Sequence, residues 1–203
     1  MRLLPLIVLF ILFGCISLGE RTEENVTENI TEANETEEIP PPPQWERYNA
    51  TYFSFDYPAS MEAKGGAADF IATRDVNGMN METMVVAYLD TVETYGENKD
   101  KIFKERPSQA ASELLYADIK DDFLVLLSDA ETVGNVSTYS IARDAHAAEV
   151  PFTIKQDSFT YSGYAIDLYI PEKSVHAKIR MISFYPEKAK AMRDQFLLSF
   201  RIE

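Results

Sequence analysis

One short stretch of the sequence combines residue types that bind divalent metal ions. Asp144, His146 and Glu149 lie within six residues of one another, and carboxylate oxygens together with an imidazole nitrogen are common metal ligands. An ion held there could activate a water molecule, which is the chemistry of a metal-dependent hydrolase. The alternative is that these residues belong to an ordinary solvated loop over 144–151 and bind no metal.

A group of methionines at a predicted hairpin is the second candidate. Met79, Met81 and Met84 follow the turn residues Asn77-Gly78, and thioethers are soft ligands that suit Cu(I). Strand alternation predicts Met79 and Met81 on one face and Met84 on the other, so the first two form the candidate pair. The alternative is that these methionines are flexible apolar filling beside the turn.

The common catalytic motifs do not occur in the sequence. There is no G-x-S-x-G, no glycine-rich phosphate loop and no H-E-x-x-H. Cys15 is the only cysteine, which excludes a disulfide or a cysteine nucleophile in the rest of the chain. His176 shares a predicted strand face with Lys178 and Arg180, which would repel a cation. We therefore expect no catalytic site and no cofactor, with the metal-dependent hydrolase and the Cu(I)-binding protein kept as alternatives.

Residues 1–19 have the pattern of a membrane-targeting segment. Arg2 precedes an apolar run that is shorter than the ~20 residues of a transmembrane helix. Leu12-Phe13-Gly14-Cys15 resembles a lipoprotein signal-peptide box, and the resemblance implies that Cys15 is joined to membrane lipid. The alternative is an uncleaved signal anchor with an incidental cysteine. Both interpretations place residues 20–203 outside the cytoplasmic membrane.

Residues 20–44 are predicted to be an extended stalk. They carry eight glutamates and end in a run of prolines, a composition that cannot bury enough apolar surface to fold. Five Asn-x-Ser/Thr acceptors for N-glycosylation occur in the chain, three of them in this stalk. These asparagines are Asn25, Asn29, Asn34, Asn49 and Asn135. A lipid-anchored protein with glycan acceptors suggests the outer face of the cytoplasmic membrane, at an archaeal cell surface more than a bacterial one; the alternative is that composition alone produces the acceptors.

Residues 45–203 are predicted to form one α+β domain, an antiparallel sheet of about six strands with packed helices. Alternation of apolar residues predicts the strands, and a 3.6-residue spacing predicts a helix that opens at Pro107 and another at Pro186. Strands are expected near 52–57, 68–75, 81–89, 123–127, 136–143, 164–170 and 175–181, and a short helix near 99–105. The net charge of the chain is −14, which argues against nucleic acid as a partner.

The last two predicted strands form the clearest hairpin. If Ile170 faces Val175, antiparallel pairing places Ile166 opposite Ile179 on the apolar face. A slip of one residue would bury Lys178, so burial should enforce this register. The other face then carries Tyr169, His176 and Lys178, with a charge pair between Asp167 and Lys178. We expect this polar face to be exposed and interpret the three residues as a candidate surface for an unidentified protein partner, or as an ordinary solvated face.

Both ends of the domain resemble a known family. Phe53-Ser54-Phe55-Asp56-Tyr57-Pro58 resembles the opening strand of PsbP-like domains, and the closing hairpin, helix and Ser199-Phe200 resemble their ending. This resemblance implies an antiparallel sheet with helices packed against it. The group includes extrinsic photosystem proteins, a Ran-binding protein and surface lipoproteins, which as a class are not enzymes. Met61 stands where an aromatic residue often follows the proline, and no binding residue of the family has a match here.

Together these features predict a surface-anchored, non-catalytic accessory or binding lipoprotein.

Overall fold

The computed structural model describes residues 43–66, 69–121, 130–156 and 158–203 of the 203-residue chain. The predicted lipid site at Cys15, the predicted glycan acceptors Asn25, Asn29 and Asn34, and the predicted strand over 123–127 lie outside this part. Among the helices that the structure describes, none has both the length and the apolar character needed to cross a membrane.

The described residues form eleven strands, four α-helices and one 3-10 turn. The strands are β1 (Trp45–Asn49), β2 (Phe53–Pro58), β3 (Glu62–Gly65), β4 (Asp69–Val76), β5 (Met79–Asp90), β6 (Ala130–Val133), β7 (Ser137–Ile141), β8 (Ala145–Gln156), β9 (Phe159–Ile170), β10 (Val175–Ser183) and β11 (Arg201–Ile202). The helices are α1 (Thr91–Tyr95), α2 (Glu97–Glu105), α3 (Pro107–Asp121) and α4 (Pro186–Ser199), and the 3-10 turn is Pro171–Lys173. The predicted α+β class is confirmed.

The strands divide into two antiparallel sheets rather than one. Eight strands form the large sheet in the order β3-β4-β5-β10-β9-β8-β6, with β7 also paired to β8. Strands β1, β2 and β11 form a separate small sheet. The predicted sheet of about six strands is therefore too small, and the predicted first strand belongs to the small sheet. Strand β5 is an inner strand of the large sheet, because it lies between β4 and β10.

The large sheet is covered on both faces. Its front face, which carries Ile166 and Ile179, packs with Phe196 of α4 and Phe55 of the small sheet. Its back face, which carries Tyr169, packs with residues of α2 and α3. The apolar stripe of α3 explains this contact, because its members recur at helical spacing. Buried residues of that stripe are Ala110, Ala111, Leu114 and Leu115.

The closing hairpin has the predicted register. Ile170 pairs with Val175, and Ile166 pairs with Ile179, and all four side chains are fully or almost fully buried. The other predicted hairpin is confirmed as well, since β4 and β5 join at Asn77-Gly78, where both residues have positive φ as a type I′ turn requires.

The predicted loop over 144–151 is wrong, because most of it lies in strand β8. Ala145 and Ala147 are buried against the front face and Ala148 against the back face, so small side chains let both layers approach this strand closely. Pro151 lies inside this strand, although proline is rare inside sheets. It is tolerated because it lies between the part of β8 that pairs with β7 and the part that pairs with β6.

Candidate functional site

The predicted partner surface is largely buried. Tyr169 and His176 have no exposed area, and Lys178 is half-buried. The expectation that these residues form an exposed surface is therefore wrong. The physical reason is that α3 packs on β8 and β9 and places its apolar stripe over the face that looked polar from the hairpin alone. An amphipathic helix packs its apolar stripe on a sheet. The apolar stripe of α3 was therefore the sequence signal that a second face of the sheet would be buried.

Both histidines of the chain lie in one row across the back face. His146 of β8 and His176 of β10 are the direct neighbours of Tyr169 on β9. The Nδ1 atom of His146 lies 3.1 Å from the Ser108 hydroxyl of α3. The Nε2 atom of His176 lies 3.2 Å from Oδ2 of Asp167. His146 thus links strand β8 to α3, whereas His176 contacts a neighbouring strand of the same sheet.

Asp167 joins two basic groups within the core. Its carboxylate has no exposed area and accepts a 3.0 Å hydrogen bond from Nη1 of Arg180 in addition to its contact with His176. Burial lowers the pKa of Arg180 to about 9, which leaves the guanidinium protonated at neutral pH. Nδ1 of His176 is buried and has no hydrogen-bond partner among the described residues. Asp167 is therefore held as the counter-ion of a buried base.

A second buried carboxylate ties α2 to the end of the closing hairpin. Oδ1 of Asp100 lies 2.5 Å from the Thr91 hydroxyl and accepts a 3.0 Å hydrogen bond from Tyr169. Oδ2 accepts from Lys104 at 2.8 Å and from Ser174 at 3.3 Å. Burial acts to raise the pKa of Asp100, but the hydrogen bonds from Lys104, Thr91 and Tyr169 outweigh it and hold the pKa below its ordinary value.

A third cluster lies on the front face beneath α4. Arg193 donates to both carboxylate oxygens of Glu149, at 2.8 and 3.0 Å, and Tyr139 donates to the same group at 2.8 Å. Burial and the Glu149 charge raise the pKa of Tyr139, and the hydrogen bond to Glu149 raises the pKa of Arg193. The bidentate geometry is the strong form of this ion pair and holds α4 to strand β8.

The three predicted metal ligands are not brought together. Glu149 lies on the front face with Arg193, His146 lies on the back face with Ser108, and Asp144 is exposed in the turn before β8. No group of three or more His, Cys, Asp or Glu side chains suited to a metal ion occurs in residues 43–66, 69–121, 130–156 and 158–203. The alternation that separates positions 146 and 149 follows directly from the strand that the sequence interpretation took for a loop.

The methionine pair is also divided. A register shift between Arg74 and Asp75 places Asp75 opposite Asn80 and Arg74 opposite Glu82, which makes Met81 the extra residue of a β-bulge. Met81 is buried, whereas Met79 is exposed. Met79 and Met81 therefore do not share one accessible face, because the bulge interrupts the strand alternation from which that arrangement was predicted.

A cleft of about 320 Å³ opens near the ends of β6 and β7. We call it the β8–β9 cleft; its lining includes Gly134, Pro151, Thr153, Ser162, Tyr164 and Pro186. None of its lining residues carries a formal charge. Arg193 is not part of the lining, but its guanidinium carbon lies 5.9 Å from the centre of the Tyr164 ring. The sequence interpretation missed this cleft, because its walls come from separate strands that only the β8 pairing brings together.

A smaller groove of about 190 Å³ lies between α2 and α3. Its wall includes Ile102, Arg106, Gln109 and Glu113, and Ile102 is 54% exposed. A half-exposed aliphatic side chain beside an arginine resembles the composition of protein-contact surfaces. The helical layer therefore offers the kind of surface that the closing hairpin does not.

The two glycan acceptors within the described residues are both exposed. Asn49 ends strand β1, and Asn135 lies in the short connection between β6 and β7. Their exposure is compatible with modification, which stays a prediction.

No protein-family model matches the sequence, and no curated protein matches it. The chain is similar to a crystal structure from Bacteroides thetaiotaomicron VPI-5482, at 8% identity and a TM-score of 0.43, covering 74% of this chain and 45% of that one. It is also similar to the Ran-binding protein Mog1p of Saccharomyces cerevisiae, at 8% identity and a TM-score of 0.46, covering 79% and 96%. The chain thus spans less than half of the Bacteroides chain. Membership of the PsbP-like group stays a prediction.

Proposed function

We propose that the chain is a lipid-anchored, non-catalytic accessory or binding protein of the cell surface, with a protein partner. The observation that supports this best is the state of its buried acids. The four buried carboxylates of the described residues each form an ion pair with a lysine or arginine side chain. These acids are Glu82, Asp100, Glu149 and Asp167. Carboxylates committed to such ion pairs are poor general bases.

The hydrolase alternative has less support. It needs Asp144, His146 and Glu149 around one ion, and the fold separates them between two faces and a turn. The Cu(I) alternative needs Met79 and Met81 on one accessible face, and Met81 is buried.

The location depends on Cys15, and its replacement should have a clear result. Cys15→Ser is expected to release the protein from membranes or to leave an unprocessed precursor, because the thiol is the group that would carry lipid. Fractionation and intact-mass measurement of the native protein check this. Phe13→Ala, which keeps the thiol and places a small residue near it, should remain in the membrane fraction. Unchanged membrane retention and unchanged mass in Cys15→Ser would contradict lipidation and favour a signal anchor.

The partner contact is expected at the groove between α2 and α3. Ile102→Asp places a charge on its half-exposed apolar wall and should reduce crosslinking to a membrane partner at least tenfold, because centrally placed side chains dominate interface energy. The measurement is site-directed photocrosslinking from Gln109 in intact membranes. Leu198→Asp is the matched control, since Leu198 of α4 is also exposed. Equal crosslinking by both variants would exclude this groove as the contact surface.

A further inference from the structure

We propose that the β8–β9 cleft is the binding site for a glycan attached to Asn135 of the same chain. The inference rests on the extracytoplasmic location proposed above, since N-glycosylation requires it. The proposed ligand belongs to the same chain, so the proposal does not depend on the identity of a protein partner.

Asn135 lies in a connection of three residues between Val133 and Ser137. The N–H of Gly134 donates to the carbonyl of Pro151 at 2.8 Å, and Ser137 pairs with Glu149 of the same strand. The connection is thus held to β8 on both sides of the acceptor.

This attachment places the acceptor at the edge of the cleft. Gly134 is part of the lining, and Asn135 is the next residue, with its Cα about 3.8 Å along the chain. The glycine is required at this point, because a Cβ on Gly134 would lie 2.7 Å from Cγ of Pro151. A sugar joined to the exposed Asn135 side chain therefore begins one residue away from the cleft lining.

The chemistry of the cleft lining suits a sugar. An uncharged lining favours an uncharged ligand, because a charge placed there without a partner would lose its hydration. Thr153 and Ser162 face each other across the β8–β9 pairing, and hydroxyl groups both donate and accept hydrogen bonds, as sugar hydroxyls do. Tyr164 and the prolines supply apolar surface for the carbon–hydrogen faces of a sugar ring. The volume of about 320 Å³ lies at the lower end of the range for small-ligand sites.

Attachment of the glycan to the same chain explains why a few weak contacts would be enough to hold it in the cleft. A group linked to the rim of its own site has an effective concentration in the millimolar range, so modest affinity is enough to fill the cleft. Asn49 provides the matched comparison, since it has the same acceptor motif and is exposed but is not part of the lining.

The test compares Asn135→Gln and Asn49→Gln in two expression hosts, the organism that makes the protein and a host without N-glycosylation. Asn135→Gln is expected to lower Tm by about 2–4 °C in the first host only, because only there does it remove a glycan from the cleft. Asn49→Gln should leave Tm unchanged in both. Ser162→Val should lower Tm in the first host to a similar degree by replacing a hydroxyl in the lining.

Mass spectrometry of the native protein separates the ways in which this proposal fails. Sugar on stalk asparagines with none on Asn135 would overturn the glycan site while leaving the location intact. Sugar on none of the acceptors would overturn the site. Membrane fractionation of Cys15→Ser would then test the proposed location independently. A modified Asn135 whose replacement shifts Tm equally in both hosts would also overturn the proposal.

Discussion

Replacement of Asp167 by alanine is expected to lower the free energy of unfolding by about 3–5 kcal/mol. The carboxylate is completely buried and faces both Arg180 and His176. Its removal breaks the ion pair with Arg180 inside the core, and this loss is the dominant cost. Since domains of this size are stable by only about 5–15 kcal/mol, the variant should be close to unfolding. Urea denaturation followed by circular dichroism measures the change.

Two comparisons make this prediction specific. Asp167→Leu combined with Arg180→Met removes both charges and should recover most of the lost stability, because an apolar pair of similar size often replaces a buried ion pair without loss. Glu62→Ala removes a carboxylate from the Glu62–Lys64 pair, whose side chains are 78% and 77% exposed, and should change stability by less than about 0.5 kcal/mol. A loss below about 1 kcal/mol in Asp167→Ala would contradict the assigned role.

Replacement of Gly163 by alanine is expected to cost about 3 kcal/mol, at the upper end of the range for overpacking. Gly163 lies between Phe152 on β8 and Ile182 on β10. A Cβ there would overlap the Phe152 ring and would lie 2.6 Å from the carbonyl oxygen of Met181. That oxygen belongs to the backbone of a central strand and cannot move without distorting the sheet. Thermal and chemical denaturation would show the loss.

Gly66→Ala is the matched control for this substitution. Its Cβ would also lie 2.6 Å from an oxygen, but that oxygen is Oδ1 of the exposed Asp69 side chain, which can rotate away. We expect a loss of less than about 1 kcal/mol at this position. Similar losses in the two variants would show that the rigid neighbours of Gly163 do not determine its cost.

The sequence predicted those parts of the fold that are determined by residues close together in the chain. The register of β9 and β10 could be derived because alternation of Ile166, Ile170 and Ile179 leaves one arrangement that keeps Lys178 out of the apolar face. The turn at Asn77-Gly78 could be predicted because few residue pairs accept positive φ at both positions. In both cases the deciding interaction lies within about twenty residues.

Long-range packing determined what the sequence interpretation missed. Strand β8 is rich in alanine and contains Pro151, and its conformation depends on the layers that pack on its two faces. The division into two sheets was hidden for a similar reason, since β2 alternates like any strand and its partner β11 lies at a distant point of the chain. The burial of Tyr169 depends on α3, whose apolar stripe was recognised but could not be assigned to a particular sheet face.

The candidate sites show the same dependence. A bulge at Met81 and the alternation of β8 separated ligands that are close in sequence. Conversely, the β8–β9 cleft joins Gly134, Ser162 and Pro186, which no sequence spacing would group. The acceptor at Asn135 was visible in the sequence, but its place beside that cleft was not.

The small sheet has a consequence for the time course of folding. Strand β2 pairs with β11, and the Ser54 hydroxyl donates to Glu203, 149 residues later in the chain. Contacts between such distant segments form slowly, since the loop between them must close first. During synthesis, β2 emerges well before its partner strand, so one of its edges has no partner until β11 follows. The interval between these two events is when the domain is most exposed to aggregation.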